Sequence, residues 1–172
     1  YRSLLISTLR ELQTIKRVRK ILMLANPLDV GWFRHQAFCR DWVVRAQTAG
    51  HLGRRMQQAF NYELRRSASI VLVGSDIAGI QATAILQAFT LLEEGVGTVI
   101  GPAVDGGYWL LGRSTRDADI FKGISWGSSR VFSETKSKLE SAESSYHEVE
   151  QRRDIDKSSD LVWSFLNRLR LR

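Results

Sequence analysis

Three acidic positions are placed where carboxylates could do chemistry. In SIVLVGSDIAGI (69–80) an apolar run ends in Gly-Ser-Asp and the chain then breaks at Ala78-Gly79. An ionised carboxylate leaving a buried strand is costly unless it is solvated, paired or bound to a cation. Two uses therefore suit Asp76: an Asx-type hydrogen bond that caps the turn or the next helix, or ligation of a metal ion. In GPAVDGGYWLLG (101–112), Asp105 and two glycines separate two apolar runs. That dipeptide serves hairpin turns, and paired glycines also let a backbone approach a ligand closely. In RRDIDKSSDL (152–161), Asp154 and Asp156 lie two apart, so in an extended segment both would face one side. Three acidic loop ends in one small domain suit Mg²⁺ or Mn²⁺, which take few protein carboxylates and complete their shell with substrate phosphates. Read one at a time, they are equally well turn residues.

The elements that must position these acids alternate in type. YRSLLISTLRELQTIKRVR has helical apolar spacing at Leu4, Leu5, Leu9, Leu12, Ile15 and Val18. KILMLAN, closed by Asn-Pro, suits a buried strand. VGWFRHQAFCR predicts a helix and DWVVRAQ a second short strand. HLGRRMQQAFNYELRRS puts Leu52, Met56, Ala59, Phe60 and Leu64 on one helical face. The strand of Asp76 follows, then a helix over QATAILQAFTLLEEG with Gly95 as its C-cap. GTVIGPA and YWLLGR are strands, SSRVFSETKSKLESA is a helix and SYHEVE a weak strand. SSDLVWSFLNRL predicts a final helix with a Ser or Asp N-cap. Alternating strands and helices imply a mostly parallel sheet covered on both faces. The almost unbroken run IVLVG agrees, because a central parallel strand is buried on both sides. Ligands of such α/β sheets bind beyond the carboxyl ends of the strands, which is where Asp76 lies.

A length of 172 residues suits one domain, and 44% hydrophobic with 25% charged residues is ordinary globular composition. The single cysteine, Cys39, excludes an internal disulfide and a four-cysteine metal site, and makes cytoplasmic chemistry the default. No apolar run approaches the roughly 20 residues that would cross a membrane. The net charge of +7 reads first as solvated helix faces and a basic C-terminus, and second as attraction to a polyanionic ligand such as a nucleotide. No nucleic-acid-binding module is legible, so nucleic acid is not an expected partner. The scattered His35, His51 and His147 are not read as ligands.

Together, QTAGHLGRRM (47–56), VGSDIAGI (73–80), IGPAVDGGYWLLG (100–112), FKGISW (121–126) and DIDKSSDL (154–161) stand in the order found in a bacterial family. The chain resembles the GT-A-fold transferases labelled radical-SAM/selenodomain-associated transferase, described as glycosyltransferases. These are similar to the guanylyltransferases of molybdenum-cofactor and phospholactate pathways. The resemblance runs over nearly the whole chain and implies a three-layer α/β sandwich of the nucleotide-diphospho-sugar transferase type. It implies that Asp76 holds a Mg²⁺ or Mn²⁺ ion on the donor diphosphate, with Asp156 as a second contact and Asp154 nearby. It places Gln47, Gly50, Arg55 and Ser75 at the nucleotide. Gly106, Gly107 and Tyr108 would shape the side of a small-molecule acceptor, where Asp105 is the candidate base or acceptor-orienting group. Trp126 would be a stacking surface for a sugar or base, or a core residue.

The family's opening strand and its loop, roughly FAKxPxPGxVKTRL, have no counterpart here, and the sequence starts at Tyr1 rather than Met. The expectation is a single domain, 1–172, with upstream residues lost, lacking the first, central strand and part of the phosphate pocket. Locally, Ile77-Ala78 replaces Cys-Pro, Val104 replaces a Glu, His51 an Asp and Gly127 a Ser, and KSSDL stands for Thr-Pro-Glu-Asp-Leu. The function implied is glycosyl transfer from a nucleotide-diphospho-sugar. The alternatives are guanylyltransferase-like nucleotidyl transfer, or a non-catalytic degenerate member that acts as a binding domain. If Asp76 is the metal-binding acid, Asp76→Asn should weaken Mn²⁺-dependent nucleotide binding while the circular-dichroism spectrum stays unchanged. Equal binding in calorimetric titration would remove the metal role.

Overall fold

The structure is a computed structural model that describes residues 2–75, 77, 79–114, 119–153 and 163–168, with residues 2, 3 and 163–168 described as backbone alone. The elements run α1 (Arg2–Gln13), β1 (Val18–Leu24), α2 (Asp29–Arg34), β2 (Trp42–Ala46), α3 (Leu52–Glu63), β3 (Ser69–Gly74), α4 (Ala82–Glu93), β4 (Thr98–Pro102), β5 (Tyr108–Arg113), α5 (Val131–Ser141), β6 (Tyr146–Glu148) and β7 (Trp163–Arg168). A single turn of 3₁₀ helix, Ala37–Cys39, joins α2 to β2. The strands form one sheet in the order β2-β1-β7-β3-β5-β4-β6.

Alternation along the central strands sorts side chains into two cores. Leu22, Leu24, Val71, Val73, Val99 and Leu110 pack against Leu5, Leu9 and Leu12 of α1, Phe33 of α2 and Ile85, Phe89 and Leu92 of α4. Ile21, Ile70, Leu72, Ile100 and Leu111 point the other way, against Met56 and Phe60 of α3 and Leu139 of α5. Helices thus cover both faces of the sheet, as expected for buried strands with no polar alternation. Phe89, Phe60 and Trp109 are almost wholly enclosed, and burying each stabilises by about 1.5–3 kcal/mol. Glu63, 2% exposed at the end of α3, accepts from Arg45 at 3.0 Å and Arg19 at 3.5 Å, which ties that helix to β1 and β2.

The sheet is mixed, which corrects the expected mostly parallel one. Two of its six ladders are parallel, β1 with β2 and β4 with β6. The reason for β5 lies in its connection: only residues 103–107 separate it from β4, and a crossover to a parallel neighbour needs a dozen residues or more. A register shift at Gly101/Pro102 then allows Trp109 and Leu110 to face the same core.

The second correction concerns residues 163–168, expected in a helix. They form β7, antiparallel to β1 on one side and β3 on the other, with Phe165 between Ile21 and Leu72. The central gap expected from the missing first strand is therefore filled. β1 and β3 run the same way and would otherwise turn unpaired N–H and C=O groups toward each other in the core, a cost of the kind that outweighs local helix propensity. Val162 and the residues before it back to Asp154 lie outside the described residues. Because β7 is paired on both sides, Leu166→Pro removes a ladder donor and should lower the thermal midpoint by roughly 10 °C, from about 3 kcal/mol of lost stability. A melt superimposable on the parent's would show that this segment does not hold the slot.

Candidate functional site

The carboxyl ends of β1, β2, β3 and β4 lie along one edge, and the 47–55 segment, the Asp-Gly-Gly turn and Trp126 collect on it. At β2, the backbone N–H of Gln47 donates to Leu24 O at 2.8 Å and its side-chain amide to Met23 O at 2.9 Å. Its Oε1 accepts from Arg55 Nη1 at 2.8 Å. Gln47 and Arg55, both expected at the nucleotide, are thus brought together where β1, β2 and α3 meet. Gly50 takes a φ of +120°, which lets the chain turn sharply into α3. His51 is the N-cap of that helix, its Nδ1 accepting from Arg54 N at 3.3 Å.

In the first turn of α3, the ring of Trp126 rests on Gly53. A Cβ there would stand 2.2 Å from Trp126 Nε1, so no larger residue fits without moving the ring. Trp126 also stacks on Phe121 (21° between planes), meets Tyr108 edge-on, and donates from Nε1 to Phe121 O at 3.2 Å. It is a half-buried packing residue, with one side forming the wall of a cleft of about 530 Å³ between α3 and residues 119–126. His51, Arg54, Gln57, Gln58, Asp119 and Lys122 supply the polar lining of that cleft. Gln57 donates to Asp119 at 3.0 Å, and the same carboxylate accepts from the amides of Phe121 and Lys122. Sequence reasoning missed this cleft, although FKGISW supplies most of one wall.

The Asp-Gly-Gly turn is built as a hairpin with a fixed carboxylate. Asp105 is exposed and its Oδ1 accepts from Gly107 N at 2.8 Å, which holds the side chain against its own turn. Gly106, at φ +89°, lies so close to Ser129 that a Cβ would stand 2.0 Å from its carbonyl oxygen. Its own carbonyl accepts from Phe132 N at 2.8 Å, fastening the turn to the start of α5. Glu134 steadies the preceding loop by accepting from the backbone N–H and hydroxyl of Ser125 at 2.6 and 3.0 Å. That backbone hydrogen bond, then the Ser125 hydroxyl and the Arg130 and Lys138 charges, hold its carboxyl below the ordinary range against a smaller opposing effect of burial.

Tyr108, expected on the acceptor side, is half-buried. Its hydroxyl is enclosed beneath α5 beside Thr135, and neither oxygen has a well-formed hydrogen bond. Burial drives the phenol far above its ordinary range, with the Thr135 hydroxyl and the Arg113 charge opposing. Ser75 is also enclosed, at 1% exposed. Cys39 is buried, which pushes its thiol up to about 11 and leaves it unsuited to nucleophilic work. Asp76, Asp154 and Asp156 lie outside the described residues; among the described residues, no group of three or more His, Cys, Asp or Glu is placed to hold a metal ion.

Arg152 was not singled out from the sequence. It bridges to Ala103 beside the end of β4, and its guanidinium lies 4.8 Å from the centre of the Trp109 ring. Two substitutions separate turn geometry from side-chain chemistry. Gly106→Ala should cost at least about 2 kcal/mol, because the φ and the Ser129 contact both oppose a Cβ. Tyr108→Phe removes a hydroxyl without a good partner and should leave stability within about 1 kcal/mol or raise it. Chemical denaturation reads both, and a large loss in Tyr108→Phe would show that the hydroxyl is satisfied.

Among the described residues no helix is long and apolar enough to cross a membrane. The structure is similar to a Desulfovibrio desulfuricans G20 protein provisionally described as a nucleotide-diphospho-sugar transferase, with a TM-score of 0.62 and 31% sequence identity over 67% of this chain and 51% of that one. The chain therefore spans about half the length of that protein. A search of curated proteins finds no match. Residues 8–128 match the model of a bacterial family described as uncharacterized protein conserved in bacteria (DUF2064), and the chain belongs to that family.

Proposed function

We propose that the protein is a nucleotide-diphospho-sugar transferase domain that moves a glycosyl group to a small-molecule acceptor. The observation that carries this reading is the joining of Gln47, Arg55, Trp126 and the Asp105 turn along one sheet edge, in a chain similar to a protein provisionally described in those terms. Arg55, held by Gln47, supplies a fixed cation toward which a diphosphate would be drawn. Asp105 keeps Oδ1 on Gly107 N, so Oδ2 is the oxygen available to take a proton from an acceptor hydroxyl. The acceptor oxygen would bond to the anomeric carbon as the bond to the nucleoside diphosphate breaks, with the pair of electrons leaving on the phosphate.

The all-oxygen donor set of Asp76, Asp154 and Asp156 has the chemistry of a Mg²⁺ or Mn²⁺ site. Bound there, the ion would neutralise charge on the departing diphosphate. Positioning and charge neutralisation serve nucleotidyl transfer equally well, with attack then falling on the α-phosphorus and pyrophosphate leaving.

Isothermal titration against UDP, GDP and their sugar conjugates, with and without Mn²⁺, tests the reading. Metal-dependent binding of one nucleotide, with a dissociation constant on the order of 1 μM to 1 mM, is expected. Silence across the panel from protein with a cooperative melt would favour the non-catalytic binding domain instead.

A further inference from the structure

We propose that the cleft between α3 and residues 119–126 binds a small phosphorylated sugar, with its phosphate at the first turn of α3 and its hydroxyls one turn further on. His51, Arg54, Gln57 and Gln58 follow one another at spacings of three and four, so they form one stripe along the helix, and all line the cleft. The 119–126 segment is the opposite wall. Trp126 rests on Gly53 in the first turn, and Asp119 accepts from Gln57 in the second. A volume of about 530 Å³ is that of a small-molecule pocket and far more than an inorganic ion fills.

The two ends of the cleft differ in chemistry. At the first turn, Nδ1 of His51 accepts from Arg54 N, so the neutral ring carries its proton on Nε2 as a donor. The Arg54 guanidinium and, across the cleft, the Lys122 ammonium are exposed, and no carboxylate among the described residues pairs with either. No acid in the first turn of α3 offsets Arg54, which leaves an uncompensated cation at the positive end of the helix. A phosphate supplies the missing charge and can accept from all three groups. At the second turn, Asp119 is the acid of the lining. Its Oδ1 accepts from Gln57 Nε2 and from the amides of Phe121 and Lys122, which leaves Oδ2 to accept from a hydroxyl. The Gln58 amide adds a donor and an acceptor, and Phe121, Ile124 and Trp126 give the carbons of a sugar an apolar wall. Asp119 would repel a second phosphate, so the lining suits a monophosphate ester with a polyhydroxylated body over a diphosphate. Gln47 and Arg55 lie outside this lining, and the proposal does not rest on the transferase reading.

The test is titration of isotope-labelled protein with glucose 6-phosphate, inorganic phosphate, and UDP with and without Mn²⁺, read from amide and indole NMR shifts. Glucose 6-phosphate should move the Trp126 indole and the Lys122 and Gly123 amides, with a dissociation constant on the order of 0.1–1 mM. Inorganic phosphate should bind about tenfold more weakly, since it forgoes the second turn. Arg54→Gln and Lys122→Gln, at exposed positions and with unchanged melts, should each weaken glucose 6-phosphate about tenfold. Arg66→Gln removes an equal charge beyond the far end of α3 and should weaken it less than twofold. Equal losses in Arg54→Gln and Arg66→Gln would reduce the attraction to net charge and overturn the site. Unmoved cleft resonances at about 10 mM glucose 6-phosphate would overturn it too. Inorganic phosphate binding as tightly as the ester would overturn the sugar assignment. UDP that displaces glucose 6-phosphate would make the cleft part of a nucleotide site and overturn the proposal. UDP that moves the Gln47 and Arg55 amides without displacing the ester supports two separate sites. A protein that binds the ester and no UDP supports the cleft and sinks the transferase reading alone.

Discussion

The middle of the sheet imposes the constraint on which the other elements depend. β1 and β3 run in the same direction and their inward residues, among them Ile21, Leu22, Val71 and Val73, are almost wholly buried. Two such strands cannot face each other across an unfilled gap, because each backbone polar group left unpaired in the core costs about as much as a lost hydrogen bond. β7 meets that requirement by pairing residues 163–168 to both neighbours in one register, Ile21 to Phe165 to Leu72. With the slot filled, β1, β2, β3 and β4 deliver their carboxyl ends to one edge. Gln47, the loop after β3 and the Asp105 turn then stand side by side.

That edge is assembled by close approaches more than by charge pairs. Trp126 can lie flat on α3 only because residue 53 has no side chain, and the turn carrying Asp105 can abut Ser129 only because residue 106 has none. Both glycines are therefore shape requirements of the site. They connect the start of α3 with the start of α5 through Trp126, Tyr108 and the turn, so a disturbance at either helix is carried to Asp105. The enclosed hydroxyl of Tyr108 packs within this scaffold beside Thr135 of α5.

Much of the fold is legible in the sequence, and its failures have physical causes. The helical spacing of α3 and α4 and the apolar run of β3 are local signals that appear where their residues predict them, whereas α1 ends at Gln13 and Val18 and Arg19, expected in that helix, open β1. Strand direction is not local, although the short step from Pro102 to Tyr108 already forbids a parallel crossover. WSFLNR reads as helix when only its own apolar spacing is counted, and becomes a strand because two distant strands need a partner. Motifs single out Gln47, Arg55, Asp105 and Trp126, which the fold brings to one sheet edge, whereas the enclosure of the Tyr108 phenol and of Ser75 depends on packing that no motif carries. Arg152 escaped notice because its role comes from Trp109 and Gly79, both far from it in sequence.

The same geometry changes the meaning of the net charge of +7. Arg19 and Arg45 are engaged by the buried Glu63, and Arg55 and Arg152 by the Gln47 side chain and the Gly79 carbonyl. These four cations hold elements together, and a polyanion would have to compete with the fold for at least two of them. Arg54 and Lys122 are differently placed, on opposite walls of the cleft beside Trp126, with Asp119 turned to its own backbone amides. Charge neutralised by a buried carboxylate contributes little field at the sheet edge, whereas exposed cations lining a concave surface reinforce one another there. Attraction of a phosphate-bearing ligand therefore depends on where the arginines and lysines point, and counting them from the composition overstates it.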